Sequence, residues 1–244
     1  MKTEKIISVQ NLTKMFGDFT AVKNISFDVY KGEIFGFLGA NGAGKTTAMK
    51  MLIGISKPTS GSSTVAGLDV ATQTEKVKKS IGYMSQRFSL YDDLTIRENI
   101  NFFGGIYGLS RDQIRQKSAR LIESLGLQKE SKKLVKSLPL GWKQKLAFSI
   151  SLLHEPKIVF LDEPTGGVDP ITRRQFWELI YAEADKGTTI FVTTHYMDEA
   201  EYCDRVSIMA EGEIEALDSP KKLKKQYNTN SMDGVFLKLA RNVE

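Results

Sequence analysis

Short apolar runs alternate with helical patterns over much of the chain. The runs typical of buried strands cover residues 33–38, 157–161 and 188–193. The segments with helical spacing of apolar residues that follow them are 45–53, 172–184 and 196–202. Because strands separated by helices are joined by crossovers, they pair in parallel and carry helices on both faces of the sheet. The pattern therefore predicts an α/β fold built on a mostly parallel sheet.

Alternation of apolar and polar residues predicts hairpins near both ends of the chain. Turn signals lie at Gly17 and at Gly212, each between two alternating segments. The predicted strand pairs are 6–12 with 21–30, and 205–210 with 213–217.

The middle of the chain changes character and is predicted to be helical. The predicted helices are 95–107, 111–125 and 142–153. In the last of these, four apolar residues fall on one face at helical spacing, which are Leu146, Ala147, Ile150 and Leu153. We therefore interpret residues 1–244 as one domain, with a helical subdomain inserted at about Arg87 to Leu153.

Composition narrows the class of protein. With 41% hydrophobic and 26% charged residues, the chain is typical of a globular protein. Its longest run without Asp, Glu, Lys or Arg is residues 99–110, shorter than the roughly 20 apolar residues of a membrane-spanning helix. One cysteine and two histidines indicate a reducing, cytoplasmic setting without a disulfide or a zinc site. The net charge of +5 fits a polyanionic ligand, an anionic membrane, nucleic acid or a lysine-rich solvated surface.

A glycine-rich loop lies between the strand predicted at 33–38 and the helix predicted at 45–53. It matches G-x-x-x-x-G-K-[ST] in the strand–loop–helix context that this motif requires. Glycines let several N–H groups converge at a helix N-terminus, which attracts phosphate. We predict that Lys45 lies between β- and γ-phosphates and that Thr46 ligates Mg²⁺. The predicted nucleotide-binding residues here are Gly39, Ala40, Asn41, Gly42, Ala43, Gly44, Lys45, Thr46 and Thr47.

Two consecutive carboxylates follow the apolar run 157–161. The carboxyl ends of parallel strands are where open α/β sheets bind ligands. We predict that Asp162 holds Mg²⁺, through water, and that Glu163 acts as general base toward the attacking water. His195 follows the run 188–193 and could reach a γ-phosphate, although a lone histidine there is more often structural. His154, before Pro156, is predicted to be structural.

The order of these motifs resembles the ATP-binding-cassette (ABC) family, specifically its nucleotide-binding domain. After the phosphate loop come Gln86, the helical block, the signature-like segment 138–142, the acidic strand, segment 163–170 and His195. The resemblance extends from Ile6 to Leu239 and is closest to the ATPases of ABC-2-type efflux systems. It implies a P-loop NTPase of ABC type, with an N-terminal antiparallel β-subdomain and an inserted α-helical subdomain.

The resemblance also implies roles for single residues. Phe16 would stack on adenine, and Gln86 would contact Mg²⁺ or the lytic water and move with the helical subdomain. His195 would be the switch histidine on the γ-phosphate. The residues implied at the seam with a partner subunit are Gly141, Trp142 and Asp169.

The signature departs from the family pattern. Pro139 stands where the family usually has serine, and Leu140 where it has the first glycine. Proline has neither N–H nor hydroxyl, so the serine donor to the partner's γ-phosphate is missing, while Gly141 and the Trp142 N–H remain. We favour continued but slower hydrolysis, because every catalytic residue expected in cis is present. The alternative is pairing with a different ATPase subunit, which leaves one composite site impaired.

The resemblance implies an ATPase that dimerises around ATP and drives an exporter. Its expected partners are ATP with Mg²⁺, a second nucleotide-binding subunit in a homo- or heterodimer, and transmembrane permease subunits on separate chains, without nucleic acid. The expected location is the cytoplasmic face of the cell membrane. The cargo stays open.

Three alternatives fit the residues less well. Repair cassettes carry long coiled-coil insertions and translation cassettes carry two such domains, and neither pattern occurs in this sequence. A P-loop GTPase requires an Asn-Lys-x-Asp motif, which the sequence lacks. A catalytically silent module is disfavoured by the joint presence of Lys45, Asp162, Glu163 and His195.

Overall fold

A computed structural model describes residues 4–86 and 90–241. The strands are β1 Lys5–Phe16, β2 Phe19–Tyr30, β3 Ile34–Leu38, β4 Ser60–Val65, β5 Leu68–Asp69, β6 Ile81–Met84, β7 Ile158–Asp162, β8 Thr189–Thr194, β9 Arg205–Ala210 and β10 Glu213–Asp218. The α-helices are α1 Lys45–Leu52, α2 Thr74–Ser80, α3 Ile96–Ile106, α4 Arg111–Ser124, α5 Leu140–Ser151, α6 Pro170–Ala184, α7 Pro220–Gln226 and α8 Met232–Arg241. Short 3₁₀ helices cover Val135–Ser137 and Met197–Tyr202.

The larger sheet has the strand order β10-β9-β3-β8-β7-β6. Its neighbours are parallel except for the terminal hairpin of β9 and β10. Every residue of β3, β7 and β8 is buried, as expected for strands covered on both faces. The mostly parallel sheet and the terminal hairpin predicted from the sequence are confirmed.

The smaller sheet is antiparallel, with the order β2-β1-β4-β5. It packs on the larger sheet through aromatic rings, with the Phe27 ring centroid 5.6 Å from that of Phe35 and 5.4 Å from that of Phe37. The polar strand β4 was not predicted, because its serine-rich sequence has no clear alternation. Pairing with β1, for example Ile7 opposite Val65, forms it instead.

The three helices α3, α4 and α5 surround a core of their own. Capping boxes start α3 at Thr95 and α4 at Ser110, and in each the backbone amide of the cap residue donates to the side chain three residues later. Leu146 and Ile150 of α5 lie in this core, whereas Ala147 belongs to the core of the larger sheet. Helix α5 is therefore shared between both layers. Arg87, where we placed the start of the helical block, lies outside the described residues, so the subdomain boundary stays a prediction.

Two helices begin earlier than predicted. Helix α5 starts at Leu140 rather than at residue 142, because the Pro139 carbonyl accepts the amides of Trp142 and Lys143. Helix α6 starts at Pro170 rather than at residue 172, because the Asp169 carboxylate caps it. The segment predicted as a short helix at 196–202 is a 3₁₀ helix over Met197–Tyr202.

None of the helices between residues 4 and 86 or between 90 and 241 combines the length and apolar character that crossing a bilayer requires.

Candidate active site

The glycine-rich loop joins β3 to α1 at the carboxyl edge of the larger sheet. Gly42 has φ 84° and Gly44 has φ 102°, both in the region that disfavours other residues. A Cβ on Gly44 would lie 2.5 Å from the Ala21 carbonyl oxygen of β2. Gly44 is also the N-cap of α1, so the first amides of the helix point toward the loop cavity without a capping side chain. The loop thus has the form that phosphate binding requires.

The terminal hairpin supports this loop from behind. The Gly212 amide donates to the Ala43 carbonyl at 3.1 Å, and the Gly212 carbonyl accepts the Lys23 amide at 2.8 Å. A Cβ on Gly39 would lie 2.3 Å from the Met209 carbonyl oxygen. The loop is therefore clamped between β2 and the turn from β9 to β10, a contact between distant segments that the sequence did not indicate.

Lys45 folds back over the loop from which it projects. Its Nζ donates to the carbonyl oxygens of Gly39 at 2.7 Å and Ala40 at 2.9 Å. The side chain is only 4% exposed and its Nζ lies 3.6 Å from Glu163 Oε1. Burial lowers the pKa of Lys45, and the Glu163 charge opposes that shift. The ammonium is thus held at the mouth of the loop beside a carboxylate.

Asp162 meets Thr46, as the predicted magnesium site requires. Thr46 Oγ1 donates to Asp162 Oδ1 at 3.1 Å, and Thr193 Oγ1 donates to the same oxygen at 2.7 Å. Thr193 was missed by sequence reasoning. The available signal was a hydroxyl near the end of a buried apolar strand, and β8 places Thr193 directly opposite Asp162 in register. Because hydroxyl and carboxylate oxygens are the ligands that Mg²⁺ prefers, the pair fits that ion.

Glu163 is the point on which the predicted catalytic side chains converge. Its Oε1 faces Lys45, and its Oε2 accepts from Gln86 Nε2 at 3.1 Å. His195 Nδ1 lies 3.1 Å from the same Oε2 but makes no hydrogen bond to it in the described structure. Glu163 has φ 47°, a left-handed conformation that is uncommon outside glycine, and its amide donates to Thr193 Oγ1 at 3.0 Å. The sharp turn after β7 thus aims the carboxylate across the cavity.

A buried charged network lies beside His195. The His195 and Tyr196 ring centroids are 4.2 Å apart, and the Arg173 guanidinium sits 3.9 Å from the Tyr196 ring centroid. Arg173 Nε is 3.6 Å from Oε1 of Glu199, which is fully buried. Thr165 Oγ1 donates to the same carboxylate at 2.5 Å. Apart from His195, no residue of this network was given a role from the sequence, because the segments that contribute them lie up to 34 positions apart along the chain.

The aromatic residue expected to stack on adenine lies at the tip of the first hairpin. Phe16 ends β1 opposite Phe19 of β2, and the residue is 55% exposed. The Lys14 ammonium lies 5.0 Å from its ring centroid. An exposed aromatic face is what base stacking requires, and the role of Phe16 stays a prediction.

The two segments expected at a dimer seam pack against each other in this chain. A Cβ on Gly141 would lie 2.5 Å from Thr172 Cγ2. Thr172 Oγ1 in turn donates to Asp169 Oδ2 at 2.6 Å, and this bond lowers the pKa of Asp169. The Trp142 amide, expected from the sequence to be available, already donates to the Pro139 carbonyl at 3.0 Å. That amide is therefore part of the first turn of α5.

His154 lies away from this cavity. Its Nε2 is 2.9 Å from the Ile81 carbonyl oxygen, and its ring stacks on Tyr107 with centroids 3.9 Å apart. Burial lowers its pKa, so the neutral ring is favoured. These contacts fit the structural role predicted for it.

Comparison with known proteins gives a family and a set of relatives. The family model described as ABC transporter matches residues 22–166. The chain is 49% identical to the probable multidrug ABC transporter ATP-binding protein YbhF of Escherichia coli, over 97% of this chain and 42% of that protein. It is 38% identical to the linearmycin resistance ATP-binding protein LnrL of Bacillus subtilis, over 87% of this chain and 68% of that protein.

The fold is also that of a solved relative. CbiO1 from Clostridium perfringens, described as part of the ABC transporter complex cbiONQ, matches with a TM-score of 0.82 and 29% identity over 92% of each chain. The chain spans less than half the length of YbhF.

Proposed function

The chain belongs to the ABC transporter family, and on that premise we propose that it is the ATP-binding and ATP-hydrolysing subunit of a membrane exporter. The observation that carries the proposal is the convergence of Lys45, Gln86 and His195 on the Glu163 carboxylate. A glycine-rich anion loop and a base aimed across its mouth are the two parts that hydrolysis of a nucleotide requires.

The proposed reaction is in-line attack of water on the γ-phosphate, which breaks the bond from the γ-phosphorus to the β–γ bridging oxygen and releases ADP and inorganic phosphate. Glu163 accepts the proton of the attacking water, Gln86 holds its Oε2 by a hydrogen bond, and His195 lies beside the same oxygen. The loop amides and Lys45 stabilise the charge that develops on the phosphate oxygens. Lys45 must exchange its bonds to Gly39 and Ala40 for phosphate oxygens, which are stronger partners for an ammonium.

Magnesium would be held by Thr46, Asp162 and Gln86. When bound, the ion neutralises charge on the phosphates. Within residues 4–86 and 90–241, no group of three or more His, Cys, Asp or Glu side chains is arranged to hold a metal. Mg²⁺ needs only a few ligands from the protein, because it keeps several waters and is usually shared with phosphates.

We propose further that the chain works as a dimer with permease subunits on separate chains, on the cytoplasmic face of the cell membrane. Support for an exporter comes from the names of the relatives, which describe a multidrug transporter and a resistance protein. ATP would join the two subunits because its γ-phosphate makes charge-assisted bonds to both, and hydrolysis would remove those bonds. Gly141, Trp142 and Asp169 are the residues proposed to face the partner.

The altered signature is proposed to slow hydrolysis without abolishing it. Because α5 begins at Leu140, the positive end of its dipole lies where the missing serine donor would have been. Replacing Pro139 with Ser and Leu140 with Gly should raise ATP turnover of the intact transporter. An unchanged rate would count against the missing serine donor being what limits hydrolysis.

The decisive experiment replaces Glu163 with Gln, which keeps the size and most contacts of the side chain but removes the base. We expect ATP binding to persist, turnover to fall by about 10²-fold or more, and the ATP-bound dimer to accumulate in size-exclusion chromatography. Glu178→Gln, on the exposed face of α6, is the control. Near-normal turnover of the Glu163 variant would refute the assigned base.

A further inference from the structure

A second cavity outside the catalytic cleft is lined by cationic and neutral side chains. It lies between α3 and α4 and has a volume of about 300 Å³. Its lining residues are Arg97, Asn101, Arg111, Ile114, Arg115 and Ser118. Five of the six offer hydrogen-bond donors, and this lining includes no carboxylate.

Helical spacing brings these donors together. On α4, Arg111, Arg115 and Ser118 follow at intervals of four and three residues, so they lie on one face. On α3, Arg97 and Asn101 are four residues apart. The two helices approach closely beside them, because a Cβ on Gly104 would lie 2.8 Å from Ile114 Cγ1. The cavity is therefore built on two packed helices rather than on a loop.

Ser118 gives an independent indication of a ligand. Its residue is 1% exposed, and its hydroxyl is buried without a hydrogen-bond partner in the described structure. A buried hydroxyl without a partner is unfavourable and uncommon. Because Ser118 lines this cavity, a ligand with an acceptor oxygen would satisfy it.

Among the described residues, few carboxylates lie close enough to neutralise the arginines of this cavity. Arg115 contacts Asp112 at 3.4 Å, but both side chains are about four-fifths exposed, so this pair is weak. A larger cavity of about 710 Å³, near the amino ends of β7 and β8, is lined by both lysines and glutamates. There Lys117 pairs with Glu155, and Lys186 pairs with Glu183 at 2.9 Å. The larger cavity thus includes its own anions, whereas the lining of the smaller one does not.

We propose that the cavity between α3 and α4 binds a phosphoryl group, distinct from the nucleotide phosphates at the loop of residues 39–46. One guanidinium group can donate two parallel hydrogen bonds to two oxygens of a phosphate. Asn101 and Ser118 would supply neutral donors to the remaining oxygens. The same chemistry can come from a soluble phosphate or from the headgroup of a phosphomonoester lipid. None of the lining residues belongs to the proposed ATP site, so binding at this cavity can be tested separately from the proposed function.

The test measures binding of both sources to the full chain. The nucleotide site, including its γ-phosphate position, is first saturated with the magnesium complex of a non-hydrolysable ATP analogue, and inorganic phosphate is then titrated with detection by broadening of its own ³¹P NMR line. Separately, the protein is floated with phosphatidylcholine vesicles containing phosphatidic acid, and with vesicles containing phosphatidylglycerol instead. The phosphodiester lipid matches the sign of the charge but offers no terminal phosphoryl group.

Matched variants separate a built site from diffuse attraction. Removing two guanidiniums by Arg97→Gln with Arg111→Gln should weaken binding by about tenfold or more. Arg97→Lys with Arg111→Lys keeps the charge but loses the paired donors, so it should weaken binding as well. Arg174→Gln on α6, whose side chain is 83% exposed, is the control and should bind like the wild type. Ser118→Ala should weaken binding without lowering Tm, because it removes a buried hydroxyl that has no partner.

The outcomes decide the proposal. Saturable binding of inorganic phosphate that both double variants lose supports it and identifies a soluble source. Binding to phosphatidic acid vesicles alone, lost in the same variants, supports it and identifies a lipid headgroup. Equal binding by the wild type and the lysine variant, equal binding to both anionic lipids, or no binding of either probe would overturn it.

Discussion

Glycine at position 141 should be required for the stability of the chain itself, because of its contact with Thr172 and independently of any partner subunit. A Cβ at position 141 would lie 2.5 Å from Thr172 Cγ2, well inside van der Waals contact. Thr172 has little freedom to move aside, because its Oγ1 donates to Asp169 at 2.6 Å and a β-branched residue has few rotamers. Gly141→Ala should therefore force α5 away from α6.

The size of this effect follows from two opposing contributions. Overpacking of this kind costs about 1–3 kcal/mol. Alanine is favoured over glycine in a helix by up to about 1 kcal/mol, which offsets part of that cost. Thr172→Ser removes Cγ2 but keeps the hydroxyl that bonds Asp169. In that background Gly141→Ala should become neutral or stabilising, so the coupling between the two positions is about 1–3 kcal/mol.

The assay is a double-mutant cycle measured by urea and thermal unfolding with circular dichroism. For a chain of this length each kcal/mol corresponds to roughly 2–4 °C in Tm. Gly105→Ala on α3 is the control, because a Cβ there meets nothing within 4 Å. It should have the same effect in both backgrounds. A coupling energy below about 0.5 kcal/mol between positions 141 and 172 would refute the steric explanation.

Three further predictions concern the site. Phe16→Ala should weaken ATP binding by about five- to a hundredfold, the usual range for loss of base stacking. Phe19→Ala, at the neighbouring residue that is 65% exposed, should leave ATP binding unchanged. Calorimetric titration with ATP measures both affinities. Glu199→Ala leaves the Thr165 hydroxyl without its buried acceptor, while Arg173 keeps Asp198 at 3.4 Å, so it should cost about 1–3 kcal/mol of stability; a Tm no lower than that of Glu178→Ala would count against the network. Burial lowers the pKa of Lys45, so the unfolded chain binds more protons than the folded chain as the pH approaches the ordinary value of 10.5. The Tm of the wild type should therefore rise relative to the Tm of Lys45→Met as the pH is raised. A difference in Tm that is independent of pH would contradict this.

Family membership and the main layers of the fold could be predicted from the sequence. Continuous apolar runs specify buried strands, and their alternation with helices specifies parallel pairing, so the larger sheet is as expected. The ABC-type fold and the resemblance inferred from the order of motifs are confirmed by the family model and the relatives. Local patterns were sufficient here because each motif is a short segment whose chemistry is contained in its own residues.

Contacts between distant segments could not be predicted in the same way. Thr193 binds Asp162 because β7 and β8 are in register, and Gly212 supports the phosphate loop because a hairpin far along the chain folds behind it. Helix starts at Leu140 and Pro170 depend on which carbonyl or carboxylate accepts the first amides. These features are decided by packing of the whole chain, since a single residue type at each position is compatible with many partners.

The sequence by itself determined the class of chemistry, through the glycine-rich loop with Lys45 and through the consecutive carboxylates Asp162 and Glu163. The tertiary structure decided how those groups meet. Only the folded chain brings Lys45, Gln86 and His195 to one carboxylate, because they come from three separate segments that end at the same edge of the sheet. It alone also places three arginines and a buried serine around one cavity, since that arrangement depends on how α3 packs against α4.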